Sequence, residues 1–152
     1  MHLTPDYINY GKHRGSEGQP RPPWAVFPCA TLRGMRVLLQ DDEETIREIV
    51  TSMLAKAGHE CLQAETPKET LDILRTEEVD VVICGIMEWL DGKEFERMLN
   101  TFPGVPVIVC SASPRKAALP ALQAGAYDFL QKPFEPEQLI SMVERAFEHR
   151  RL

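Results

Sequence analysis

Asp41 and Asp42 stand side by side where a short apolar run, Val37 to Leu39, gives way to an acidic stretch that continues through Glu43 and Glu44. Four carboxylates in succession repel a phosphate, which disfavours the glycine-rich loops that nucleotide- and flavin-binding chains place at such a turn. Two adjacent carboxylates suit a hard cation such as Mg²⁺, held by one or two acids, water and an oxygen from a third party. An acid-rich helix start, favoured by the macrodipole, accounts for them equally well. Further along, Ser111-Ala112 and Lys132-Pro133-Phe134 each close an apolar run. A hydroxyl and an ammonium on neighbouring strand ends could together cradle a phosphoryl group. Singly they would be a turn serine and a surface lysine; on one edge with the acid pair, a shared site is favoured.

The cysteines offer less. Cys29, Cys61, Cys84 and Cys110 are far apart, with no Cys-x-x-Cys pair, and three of them fall inside apolar runs. Thiols so placed act as small hydrophobes, so neither a disulfide framework nor a zinc site is expected.

The elements that must position these residues follow from periodicity. Val37 to Leu39 reads as a buried strand. Ile46, Ile49, Val50, Met53 and Leu54 then repeat at i, i+3, i+4, i+7 and i+8, the signature of an amphipathic helix. Gly58 stops that helix, and His59 to Ala64 forms a second strand. Thr66-Pro67-Lys68-Glu69 supplies an N-cap, a first-turn proline and a glutamate three residues on, so a helix starts there and runs through Leu71 and Leu74. Val79 to Cys84 is a third strand, apolar on both faces, which requires a sheet covered on both sides. A third helix carries Phe95, Met98 and Leu99. Pro106 to Cys110 is the fourth strand, and Ser113-Pro114 caps a fourth helix. Tyr127 to Leu130 is the fifth strand. Leu139, Met142, Val143, Ala146 and Phe147 mark the last helix. Five strand-helix pairs in so short a chain imply parallel strands joined by right-handed crossovers, a doubly wound α/β fold whose functional crevice lies at the carboxyl ends of the strands.

With these residues in view, the chain from Met35 to about Phe147 resembles the receiver domain of bacterial two-component response regulators. The marks are Asp41-Asp42, Asp91-Gly92, Ser111-Ala112, the run Ala124-Gly125-Ala126-Tyr127-Asp128-Phe129-Leu130, and Lys132-Pro133-Phe134. The resemblance implies a flavodoxin-like (βα)5 fold with strand order 2-1-3-4-5. It also implies Mg²⁺ on Asp41 and Asp42, Ser111 as the residue that signals phosphorylation, and Lys132 against the phosphoryl group. Phe129 matches the aromatic switch position, and the Lys132–Pro133 bond is expected to be cis.

One departure outweighs these matches. Receivers carry a phosphate-accepting aspartate at the end of the third strand, and here that strand runs Asp80-Val-Val-Ile-Cys-Gly. Counting forward from Asp80 puts Gly85 at the acceptor position; counting back from Asp91-Gly92 puts Cys84 there. Neither forms an acyl phosphate. Asp80 begins the strand, about 13 Å from the functional edge at ~3.3 Å per residue, and cannot substitute. Glu88 lies in the following loop, without the placement that in-line attack requires. Losing the third carboxylate weakens the expected Mg²⁺ site. Trp89 stands in the loop where receivers usually have a proline, either as a contact residue on the surface or as a half-buried anchor. Pro120 falls within the fourth helix, which must either begin after about Lys116 or kink.

Composition sets the outer limits. The chain has 152 residues, 43% hydrophobic and 26% charged, with a net charge of −6, enough for one domain and some surplus. Its longest uncharged apolar run, Val81 to Met87, has seven residues, against about 20 for a membrane-spanning helix. No secretory signal opens the chain, so a cytoplasmic location without membrane contact is expected. Residues 1–34 hold five of the twelve prolines and a slight basic excess, and are expected to be a disordered or loosely docked arm. Trp24, Val26 and Phe27 could pack on the domain or a partner, and Met35 could be the true start of translation. The remainder carries thirteen basic and twenty-one acidic residues. Such a body repels a phosphate backbone, so nucleic acid is not an expected partner.

The favoured function is therefore a stand-alone receiver-like protein in phosphorelay signalling that cannot accept phosphate on aspartate. It is expected to act as a non-enzymatic protein-interaction module, with a histidine kinase or a downstream effector as partner. The alternatives are a redox sensor using Cys84, at an edge shared with Lys132 and the acids, and a receiver phosphorylated at a non-standard site.

Overall fold

The computed structural model describes residues 34–85, 89 and 92–151. The expected arm, with Trp24, Val26 and Phe27, lies outside the described residues, as do Glu88 and Asp91. Five strands alternate with five helices: β1 (Arg36–Gln40), α1 (Glu44–Lys56), β2 (Glu60–Ala64), α2 (Pro67–Thr76), β3 (Val81–Gly85), α3 (Lys93–Thr101), β4 (Val107–Ser111), α4 (Pro114–Ala124), β5 (Asp128–Gln131) and α5 (Pro136–Arg151). The strands pair in parallel in the order β2-β1-β3-β4-β5, the doubly wound, flavodoxin-like arrangement expected.

Alternation along the strands divides the core in two. Val37, Leu39, Val81, Ile83, Ile108, Cys110 and Leu130 face the layer of α1 and α5, where Val50, Leu54, Leu139 and Val143 meet them. Leu38, Val82, Cys84, Val107 and Val109 face the other layer, with Leu71 and Leu74 of α2, Phe95 and Met98 of α3 and Ala121 of α4. A sheet covered on both sides must be apolar on both sides. Every residue of the inner strands β3 and β4 is accordingly buried, while the edge strands β2 and β5 are only partly so.

Local chemistry explains most element ends. Gly58, with φ 88°, turns the chain out of α1 in the left-handed region. Thr66 Oγ1 accepts the Glu69 N–H at 3.2 Å, as the capping pattern predicts, and Glu69 reaches back to the Glu65 N–H at 2.6 Å. Gly92 opens α3 at φ 74° with open space where a Cβ would stand, so backbone conformation, not crowding, calls for glycine.

Three expectations need correction. His59 precedes β2 and does not begin it. It is fully buried, and its Nδ1 accepts the Met35 N–H at 3.1 Å. Ser113 occupies the N-cap of α4 but its side chain caps nothing; its own N–H donates to Ser111 Oγ at 3.0 Å. Helix α4 begins at Pro114, before Lys116, so Pro120 sits inside an 11-residue helix. It has no N–H to offer the Lys116 carbonyl.

Candidate functional site at the strand ends

The carboxyl ends of β1, β3, β4 and β5 come together on one edge, and four of the residues expected to do chemistry lie there. Asp41 follows β1 directly. Its backbone N–H donates to the Ala64 carbonyl at the end of β2, 3.1 Å away, and its side chain is buried. Asp42 and Glu43 follow, both exposed, before α1 begins at Glu44. One carboxylate oxygen from each of Asp41, Asp42 and Glu43 lies within 4.8 Å of the others.

Lys132, just beyond β5, crosses to this cluster and places its Nζ 2.8 Å from Asp41 Oδ2. Its backbone N–H donates to the Ser111 carbonyl at 2.9 Å, which ties the ends of β4 and β5. Burial works against the ammonium, but the hydrogen bond to Asp41 and the Asp41 charge, with smaller help from Cys110 and Glu43, outweigh it. The pKa stands above its ordinary value. The other Asp41 oxygen, Oδ1, accepts the Glu43 N–H at 2.9 Å. Arg47, one turn into α1, donates to the Asp41 backbone carbonyl at 2.7 Å. Carboxylates alone are the donor set of a hard cation, so the trio fits Mg²⁺ by chemistry. Asp41, however, already answers to Lys132 and the Glu43 amide.

Ser111 ends β4, is 6% exposed, and accepts the Ser113 N–H. Phe129, in β5, is half-buried and packs on the α2–α3–α4 side of the sheet. The Lys132–Pro133 peptide is cis, as the resemblance implies.

Cys84 and Gly85 close β3. Gln40 pairs with Cys84 across β1 and β3, and Gly85 pairs with Cys110 across β3 and β4. Gly85 is thus the last residue of β3 and comes one step after the Gln40–Cys84 pair, level with Asp41. Cys84 is fully buried and turns into the apolar layer with Leu38, Val82, Val109 and Trp89. That corrects the expectation of a thiol at an exposed edge beside Lys132. Asp80 stands at the opposite end of the sheet, where its Oδ2 accepts the Arg36 N–H at 2.8 Å.

Trp89 is an anchor, not a surface aromatic. It is 3% exposed, meets Phe95 edge-on at a centroid distance of 5.9 Å, and donates its indole N–H to Gln40 Oε1 at 2.9 Å. Gln40 also donates its amide to the Glu65 carbonyl at 3.3 Å. Sequence reasoning missed Gln40 and Arg47. The available signals were a polar residue ending an otherwise apolar strand, and a basic residue one turn into the helix behind an acid pair.

Comparison with known proteins follows the same outline. Residues 37–144 match the model of the response regulator receiver domain. The chain is 37% identical over 112 residues to the DNA-binding transcriptional regulator NtrC of Klebsiella pneumoniae, covering 72% of this chain and 24% of that protein. It is 35% identical over 119 residues to a putative response regulator NtrX-like protein of Rickettsia bellii, covering 74% of this chain and 24% of the relative. The chain therefore spans about a quarter of the length of these curated relatives. Among solved structures, NtrX from Brucella abortus in complex with ADP superposes with a TM-score of 0.71 at 32% identity, over 78% of this chain and 27% of that one. The beryllofluoride-activated NtrC4 receiver domain dimer superposes at 0.69 and 30% identity, over 76% of this chain and 98% of that one. By its matched span, its strand order and the residues gathered at its strand ends, this chain belongs to the response regulator receiver family.

Proposed function

We propose that this receiver works in two-component signalling by protein–protein contact, in the cytoplasm, without accepting a phosphoryl group at the end of β3. The observation that carries the reading is the pairing of Gly85 with Cys110, level with Asp41, where a side-chain carboxylate would have to stand. Glycine offers no nucleophile there. The neighbouring Cys84 points away into the apolar layer. Lys132, which would otherwise neutralise a phosphoryl group, is engaged with Asp41.

Mg²⁺, if bound, would be held by Asp41 and Asp42 with Glu43 close by, and would supply positive charge at this edge. Without a third carboxylate from β3, and with Lys132 and Arg47 both on Asp41, that binding is weak. The relatives carry their receivers in chains about four times longer, so the proposal concerns what the receiver itself does. A signalling partner, either a histidine kinase or an effector, is its target. Affinity for that partner should be the same with and without a small phosphodonor and Mg²⁺. A phosphodonor-dependent change in affinity, accompanied by an acid-labile adduct, would overturn the proposal.

A further inference from the structure

The Gln40 amide makes buried contacts at this edge that the proposed function does not use. Gln40 is fully buried at the end of β1, in the middle of the sheet edge. Its Oε1 takes the indole N–H of Trp89, beyond β3, at 2.9 Å, and its Nε2 donates to the Glu65 carbonyl, beyond β2, at 3.3 Å. A single side chain thus bridges the ends of three adjacent strands. The next residue is Asp41, whose backbone is bonded to Ala64 and whose carboxylate holds Lys132 beyond β5. Buried amide bonds of this kind are costly to leave unmade, because each broken partner stays desolvated. Trp89 is further fixed by Phe95 and by the apolar layer around Cys84.

We propose that Gln40 and Trp89 are positioning residues: their hydrogen bond is a crossbar that keeps the strand ends, and Asp41 with them, in one arrangement whether or not Lys132 is engaged. This deepens the functional reading, since a receiver that signals without a phosphoryl group needs an edge already assembled. The pairing explains why a polar residue ends an apolar strand and why a buried indole follows β3.

The test is nuclear magnetic resonance of the full chain, which has two tryptophans and so two indole N–H signals. Trp24→Phe leaves the Trp89 signal alone in the spectrum. The crossbar predicts slow solvent exchange of the Trp89 indole proton. Gln40→Met keeps the length and removes the acceptor, and should speed that exchange by roughly three- to tenfold, the equivalent of one lost net hydrogen bond. Lys132→Ala should leave the Trp89 indole signal at its parent position and its exchange rate within roughly twofold of the parent. An indole unaffected by Gln40→Met would show that the bond does not hold it. An indole that moves as far with Lys132→Ala as with Gln40→Met would show that the edge has more than one arrangement. If Gln40→Met fails to fold, the Lys132→Ala comparison alone decides, because a displaced indole there contradicts the crossbar. None of these readouts involves phosphoryl transfer, so an adduct on the wild-type chain would defeat the functional reading and leave the crossbar standing.

Discussion

Lys132 and Asp41 are 91 residues apart in the chain and 2.8 Å apart in the fold, and their pairing makes a definite prediction about pH. The Lys132 pKa is raised in the folded state by a partner that outweighs its burial. Its contribution to stability is therefore complete below the unfolded lysine value, near 10.4, and is lost as pH rises through the higher folded value. Lys132→Met should cost about 1.5–3 kcal/mol at neutral pH, the scale of a hydrogen bond to a charged group, because the buried Asp41 carboxylate loses its partner. Denaturant titrations should show the gap to wild type closing above the folded pKa. A gap independent of pH would mean that the pair carries no electrostatic stabilisation. The thiols give a second check. Burial, opposed by the Thr51 hydroxyl and helped by Glu60, pushes the Cys61 thiol up to about 11, and Cys84 and Cys110 are buried. In the native chain near pH 8, a thiol reagent should modify the buried Cys84 and Cys110 only at the rate of unfolding, and the partly exposed Cys61 slowly because little of it is thiolate; rapid labelling of Cys84 would revive a redox role. Asp41, Asp42, Ser111 and Lys132 were legible from residue type and position. Gln40 and Trp89 were not, because a buried hydrogen bond across 49 residues leaves no periodic trace.

At the scale of elements, apolar periodicity placed the five strands and most of the helices to within a few residues, because a sheet packed on both faces demands continuous apolar runs; the fourth helix was placed only by the Ser113-Pro114 pair. The capping pattern at Thr66 was read correctly since it depends on residues three apart. The Ser113 cap was not, since Ser113 is drawn toward Ser111 by a contact within the turn. Thr66→Ala should lower stability by about 1 kcal/mol, the usual worth of an N-cap. Pro120 defied the rule that proline ends helices. It sits exposed in α4, where the cost of one missing helical bond is tolerated, beside the exposed Leu119. Pro120→Ala should therefore raise stability, by about 1–3 kcal/mol as seen in thermal or denaturant unfolding. No gain would mean that a tertiary contact at Pro120 offsets the helical penalty.

For the whole molecule, strand order came from family resemblance and not from periodicity, which says nothing about which strands are neighbours. Among the described residues no helix is long and apolar enough to cross a membrane. The acidic excess of the body bears on partners: relatives include a DNA-binding transcriptional regulator, but they are about four times longer than the matched segment. This chain should not retard a DNA duplex at physiological salt, because its folded part repels the phosphate backbone. The account as a whole turns on the end of β3. Gly85 is the last residue of strand β3, and Gly85→Asp would place a carboxylate level with Asp41. The most direct measurement is the intact mass of both chains after incubation with a small phosphodonor and Mg²⁺. The account predicts no acid-labile phosphoryl adduct on the wild type and an adduct on Gly85→Asp; a stoichiometric adduct on the wild-type chain would contradict it.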